Sequence, residues 1–269
     1  MMELMKKSVQ EMSLYSGQNE LVAIKIGNST VNFAFFRTPC CSDFDMISFE
    51  TKEILNWEYD SLCRLFSNHQ NCDCIVCSVV PELTEKFFSF LKKVYNKVIV
   101  ITSKTPSGLS LRIRNPESFG VDRLAATVAA YELFKKNIAV VDAGTATTIT
   151  VVTQEGEILG GAIMPGLGTM NYSLKEKTAS LPLVDLEKDF DVPGIDTHSA
   201  ILSGILLGTV YAIEGIIGDI EKKINHKLEI VLTGGYSQLL SKYMHKKHLL
   251  NKHLVIEGMR LIYLKNIKN

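Results

Sequence analysis

Neither sign of charge is in excess in this 269-residue chain, where 29 Lys and Arg balance 29 Asp and Glu. No overall field draws it to nucleic acid or to an anionic membrane, and neither is expected as a partner. Uninterrupted apolar runs are short, and none approaches the roughly 18 residues of a membrane span. In Met1–Glu20 the apolar residues are interrupted by Lys6, Lys7, Gln10 and Glu11, so no secretory signal is expected and the chain reads as cytoplasmic. Cysteine is absent after Cys77: all six, Cys40, Cys41, Cys63, Cys72, Cys74 and Cys77, fall in the first third. Cys74-Ile75-Val76-Cys77 has the spacing of a metal or redox motif, but it continues as Ser78-Val79-Val80 and has no second pair downstream. Structural thiols on a buried strand are the expected reading. A Gly/Ser or Pro-rich linker is also missing, so any two halves should share an extensive interface.

What is present is enough apolar material, 46% of residues, for one large domain or two ordinary ones. Hydrophobic patterning predicts strands at 21–26, 31–37 and near 46–51, a helix at 59–68, a buried strand at 73–80, a helix at 81–93 and a strand at 97–102. An extended segment comes next at 106–116, then a helix at 117–135. Strands are predicted at 138–142, 146–153 and 157–162, and a helix at 166–180. A loop at 181–196 leads to a long apolar helix at 197–223, a strand at 229–233, a Gly-Gly turn and a further helix. The C-terminal 259–268 reads as an amphipathic helix packing back across the domain junction. Strands followed by helix–strand alternation, twice over, suit mixed sheets covered by helices.

The segment Val140-Val141-Asp142-Ala143-Gly144-Thr145-Ala146-Thr147-Thr148-Ile149 is the most informative. An apolar run ends on a carboxylate, and a tight turn rich in small hydroxyl residues enters a second apolar run. Such a hairpin turn offers N–H and hydroxyl donors to a phosphate beside an acid able to hold a cation. Val22-Ala23-Ile24-Lys25-Ile26-Gly27-Asn28-Ser29-Thr30 has the same form about 120 residues earlier, which suggests a duplicated fold with a nucleotide between its halves. Position 25 is Lys where Asp142 leads one to expect Asp.

Four further segments stand out. Gly120-Val121-Asp122-Arg123 puts an acid and a base at the opening of a long apolar helix, where an acid also simply complements the helix dipole. Gly160-Gly161-Ala162-Ile163-Met164-Pro165-Gly166 reads as a Gly-rich turn between strand and helix. Thr233-Gly234-Gly235 lets backbone approach a ribose or base, or is only a turn. Asp196-Thr197 begins the long helix, where Thr is usually an N-cap.

Taken in order, these segments resemble the type III pantothenate kinases of the actin-like and acetate/sugar-kinase superfamily. Lys177-Thr178-Ala179-Ser180-Leu181-Pro182 and Ser203-Gly204 add to the match, which runs from Leu21 to the C-terminus. The resemblance implies an α/β fold of two similar ribonuclease-H-like halves, each a mixed sheet flanked by helices, with the nucleotide in the cleft between them. The halves would be 20–115 and 116–269, after an extension at 1–19. The implied activity is ATP-dependent phosphorylation of pantothenate to 4'-phosphopantothenate, the first step of coenzyme A biosynthesis. Asp122 would be the general base. Gly120, Val121, Asp122, Arg123, Thr197 and Ile113 would line the pantothenate site. Lys25, Ile26, Gly27, Asn28, Ser29, Thr30, Val31, Asn32 and Thr145 would contact ATP, which comes with Mg2+. Asp142 would hold a monovalent cation, K+ or NH4+, and the protein would be a homodimer. Two positions depart from the family pattern: Lys25 replaces an Asp that organises magnesium, and Ile113 replaces a substrate-contacting Tyr. Those departures leave a second reading open, a silent homologue that binds nucleotide or pantothenate as a regulator.

Overall fold

The computed structural model describes residues 20–57 and 72–267; the helix expected at 59–68 and Cys63 lie outside them. Two sheets repeat one strand order. The first runs β3 (Phe44–Glu50), β2 (Thr30–Phe36), β1 (Leu21–Ile26), β4 (Asp73–Ser78), β5 (Lys97–Val100). The second contains β9 (Glu157–Pro165), β8 (Ala146–Val152), β7 (Ile138–Ala143), β10 (Glu229–Thr233) and β11 (Leu249–Leu250), with β6 (Ser110–Leu111) added at the β9 edge. In both, the first three strands are an antiparallel meander and the last two join in parallel. The duplication inferred from two short turns thus extends to every strand of the first sheet.

The described residues of Met1–Gly108, Glu117–Ala129 and Val255–Asn269 form one compact unit, and Leu109–Pro116 with Ala130–Leu254 forms the other. This grouping cuts across the sequential halves 20–115 and 116–269. In the first unit β1 is buried almost throughout. Helix α2 (Pro81–Val94) contributes Leu83, Phe87, Phe90 and Leu91 to a core with Val22, Ile24, Val31 and Phe33. Pro81 begins this helix without breaking it, because an N–H at that position has no intrahelical partner. The C-terminal helix α7 (Leu254–Ile267) lies against α3 (Val121–Phe134), where Gly258 meets the Ala125 carbonyl. Polar ties fix its position: Tyr263 donates to Asp73 Oδ2 at 2.6 Å, and Arg260 Nη1 donates to the Pro39 carbonyl at 2.9 Å.

In the second unit α5 (Thr197–Ile224) packs Ile205, Leu206, Ile213 and Ile217 against Val141, Ile149 and Leu232 of the sheet. Its length and composition alone would let it cross a membrane, and 44% of its most apolar window is buried in the fold. It begins on a capping box in which Asp196 accepts from Ser199 N at 2.8 Å and the Ser199 hydroxyl meets Asp196 N at 3.1 Å. Asp196 is therefore the N-cap, and Thr197 is the first helical residue.

Two local features differ from the pattern reading. Gly160 and Gly161 do not form a turn; they sit inside β9 beside an irregularity at Val151/Val152, with φ of 111° and 153°. A Cβ on Gly161 would fall on the Ile149 carbonyl, so the glycines serve a close strand approach rather than a chain reversal. Residues 51–55 form a short helix, α1 (Thr51–Leu55), where hydrophobic patterning extends the strand to 51.

A Cβ at position 258 has nowhere to go, so Gly258→Ala should cost about 1–3 kcal/mol or somewhat more, as overpacking does. An unchanged urea midpoint would show that α7 can move off α3. Acid sensitivity should trace in part to Glu221 on α5. Burial pushes its pKa up, but the Leu228 N–H at 3.1 Å and the Lys246 and Lys227 ammonium groups at 3.0 and 3.1 Å outweigh that, leaving it below the ordinary carboxylate value. A carboxyl depressed in the folded state stabilises above its unfolded pKa, and that stability is lost as pH falls through the folded value. Glu221→Gln should be less stable than wild type at pH 7 and lose less stability between pH 5 and 3. Parallel pH profiles would acquit Glu221.

Candidate active site

Asp122 lies in the first turn of α3, where its Oδ1 accepts from the Arg123 N–H at 2.8 Å. That N–H is one a helix start leaves unsatisfied, and the carboxylate oxygen serves as its acceptor. Gly120 makes the arrangement possible: a Cβ there would stand 2.7 Å from Asp122 Oδ1. The Arg123 guanidinium sits 4.7 Å from the centre of the Phe119 ring. Burial holds its pKa below the usual guanidinium value, with Asp122 offsetting only part of that, and the group stays half-buried beside the carboxylate. Gly120, Val121, Asp122 and Arg123 thus form one corner, with a carboxylate and a guanidinium fixed by backbone and ring.

The turn between β7 and β8 is held by glycines from two other segments. Gly166 meets the Gly144 and Thr145 carbonyls where a Cβ would stand, and its N–H donates to Thr145 O at 3.0 Å. Thr169, in α4 (Leu167–Lys177), donates its hydroxyl to the same carbonyl at 2.6 Å. Gly234 has φ of 96°, and a Cβ there would overlap Asp142 Oδ1 and the Ala143 backbone. Beyond it, the Tyr236 N–H donates to Ala143 O at 2.9 Å. Asp142, Thr145, Gly166 and Gly234 therefore converge on one turn. Both glycines carried a sequence signal, whereas Thr169 and Tyr236 gave none, a hydroxyl on a helix start and an aromatic after a Gly pair being commonplace.

At the other hairpin, Gly27 N donates to Thr30 O at 2.9 Å and closes the turn between β1 and β2. Thr51 of α1 braces it: its hydroxyl donates to Gly27 O at 2.7 Å and its N–H to Ser29 O at 3.0 Å. Sequence reasoning missed Thr51, which marks nothing beyond a strand's end. Asn28, Ser29 and Thr30 are exposed, Ile26 and Val31 buried, and Lys25 and Asn32 half-buried. The Asn32 amide donates to Ser48 Oγ at 2.6 Å.

Thr197 opens onto an apolar groove of about 700 Å³ between α4 and α5, lined by Thr169, Met170, Leu174, Ala200, Ile201 and Gly204 among others. Because Asp196 caps the helix, the Thr197 hydroxyl is not committed to that task. Ile113 is half-buried near Gly160, its Cγ2 3.7 Å from where a Cβ would stand. Burial pushes the Cys72 thiol up to about 12 and raises Cys74 well above its usual value, so neither forms a thiolate near neutral pH. Among the described residues no three His, Cys, Asp or Glu side chains gather as a metal set.

A family model described as type III pantothenate kinase matches residues 21–219. A protein named type III pantothenate kinase from Persephonella marina is 33% identical over 250 residues, covering 90% of this chain and 98% of that one. Among solved structures, a conserved putative Baf family transcriptional activator from Campylobacter jejuni superposes with a TM-score of 0.62 at 22% identity, over 92% of this chain and 100% of that one. MreB 5 of Spiroplasma citri bound to AMPPNP gives 0.51 at 12% identity, over 94% and 99%. The structural likenesses establish an actin-like fold, and the sequence matches go further: the chain belongs to the type III pantothenate kinase family, whose members are kinases that use ATP with a divalent metal.

Proposed function

We propose that this chain phosphorylates the primary hydroxyl of pantothenate with ATP, giving 4'-phosphopantothenate for coenzyme A biosynthesis, and that it works in the cytoplasm as a homodimer. The observation that carries the catalytic reading is the Asp122 corner. There the Asp122 side chain is held by one oxygen on the Arg123 N–H, with Gly120 keeping the space beside it clear. Asp122 takes the hydroxyl proton as that oxygen bonds to the γ-phosphorus, and the β,γ-bridging oxygen leaves with ADP. Arg123, cationic and steadied by Phe119, holds the pantothenate carboxylate. Thr197 and Ile113 contribute to the substrate walls, while residues 25–32 and Thr145 contact the phosphates.

Asp142 is the acid of the β7–β8 turn. One carboxylate is short of a divalent-ion set. It suits a weakly held monovalent cation, K+ or NH4+, completed by carbonyl and water oxygens. Such an ion would add positive charge near the phosphates. The divalent ion enters with ATP as part of the substrate.

The dimer reading is supported by the outer face of α5. Gly204, Gly208 and Gly215 have open space where a Cβ would stand, and Tyr211 is 58% exposed. Glycine inside an exposed helix costs about 1 kcal/mol relative to alanine, so a repeated stripe of it asks for a compensating close partner. A second copy presenting the same stripe would provide one.

Asp122→Asn, nearly isosteric but unable to accept the proton, should stay folded and lose about two to four orders of magnitude in kcat with pantothenate, ATP, Mg2+ and K+. A variant keeping half the wild-type rate would remove Asp122 from the chemistry. Gly120→Ala should lower kcat while leaving the melting temperature within a few degrees, because the new methyl pushes on the carboxylate. Light scattering at micromolar concentration should give a dimer for wild type and a monomer for Gly208→Glu; a monomeric wild type would refute the dimer.

A further inference from the structure

The two duplicated turns carry opposite charges at one place in the fold. Lys25 is the penultimate residue of β1, opposite Asn32 on β2 and Cys77 on β4. Asp142 is the penultimate residue of β7, opposite Thr148 on β8 and Thr233 on β10. Each is half-buried and flanked by buried neighbours, Ile24 and Ile26 or Val141 and Ala143. The same strand, register and step before a glycine turn thus hold an ammonium in one unit and a carboxylate in the other.

The Lys25 turn also has three of its backbone carbonyls already in use. Its carbonyls are engaged inward: Gly27 O by the Thr51 hydroxyl, Ser29 O by the Thr51 N–H and Thr30 O by the Gly27 N–H. Gly27 keeps the turn tight, since a Cβ there would stand 3.1 Å from Thr30 O. Among the described residues the Lys25 ammonium has no hydrogen-bond or ion-pair partner. A half-buried cation without a counter-charge is costly, and beside a turn with three carbonyls already engaged it favours an anion over a metal ion. Nor does any group of three metal-ligating side chains occur among the described residues.

We propose that Lys25 contacts the ATP phosphates directly and supplies, as a tethered cation, charge that a divalent ion would otherwise have to bring, so that this protein binds ATP without a metal. The inference rests on the kinase reading for the identity of the anion. Lysine suits the task as a compact point charge with three donors on a flexible stem.

The test is calorimetric titration of full-length protein with ATP, once in excess EDTA and once with Mg2+. Wild type should bind both forms with affinities within about threefold of each other. Lys25→Met should weaken metal-free ATP by about tenfold or more, as expected for losing a charged hydrogen bond, and Mg-ATP by much less. Lys25→Asp should bind only Mg-ATP, and Lys25→Arg should keep metal-free binding. Unchanged melting temperatures identify these as binding effects. If Lys25→Met binds metal-free ATP like wild type, or wild type binds no ATP in EDTA, the proposal is overturned. Product formation separates it from the kinase reading. Metal-free binding that depends on Lys25, with no phosphopantothenate made, sinks the kinase and leaves Lys25 in place; turnover with an indifferent Lys25 does the reverse.

Discussion

The second unit depends on backbone meeting backbone at the β7–β8 turn. Gly166 comes in against the Gly144 and Thr145 carbonyls, and Gly234 comes in against Asp142 and Ala143 at a φ only glycine adopts easily. Neither approach tolerates a side chain. Together they order the turn: the Thr145 carbonyl is bound by Gly166 N and the Thr169 hydroxyl, and Ala143 O by Tyr236 N. Two of the turn's carbonyls are thus engaged from behind, which fixes the backbone that presents Asp142 and Thr145. In the first unit the same end is reached differently, with Thr51 of α1 engaging the turn's carbonyls.

That difference shows how a duplicated fold diverges. The strand order and its parallel and antiparallel pairings are held in common because they carry the cores. The turns at the strand ends bury little, so they are free to change chemistry while the sheet stays as it is. Lys25 and Asp142 mark the limit of that freedom, two opposite charges at equivalent register. The grouping of the chain extends the same theme. Residues 117–129 and 255–267 join the first unit, with the Gly258–Ala125 approach locking one helix on the other. Asp122 therefore stands on a helix whose base is clamped.

Much of this was legible because it is local. Both hairpins, the opening of α3 at Asp122 and the start of α5 show as apolar periodicity broken by glycine or a small polar residue. What was not legible depends on partners distant in sequence. Gly160 and Gly161 read as a turn, since nothing within the segment reveals that Ile149 presses on it from the neighbouring strand. The grouping of 117–129 with the first unit was hidden because its contacts lie more than a hundred residues away on α7. Thr51 and Thr169 were invisible for the same reason: each acts through one hydroxyl on a carbonyl over twenty residues off.

Thr197 shows how a bland local reading and a functional one part. A Thr at a helix start is usually consumed as the cap. Here the capping box of Asp196 and Ser199 satisfies both the Ser199 and Asp196 N–H groups, so the cap is complete one residue earlier. The threonine moves into the first turn and faces a groove whose other lining side chains are mostly aliphatic or small. A hydroxyl at the rim of an apolar groove is where a ligand with one polar and one apolar part finds orientation as well as affinity. Capping by a neighbour is what makes the Thr197 side chain available to a ligand, and only the geometry shows which of two adjacent polar residues the helix uses.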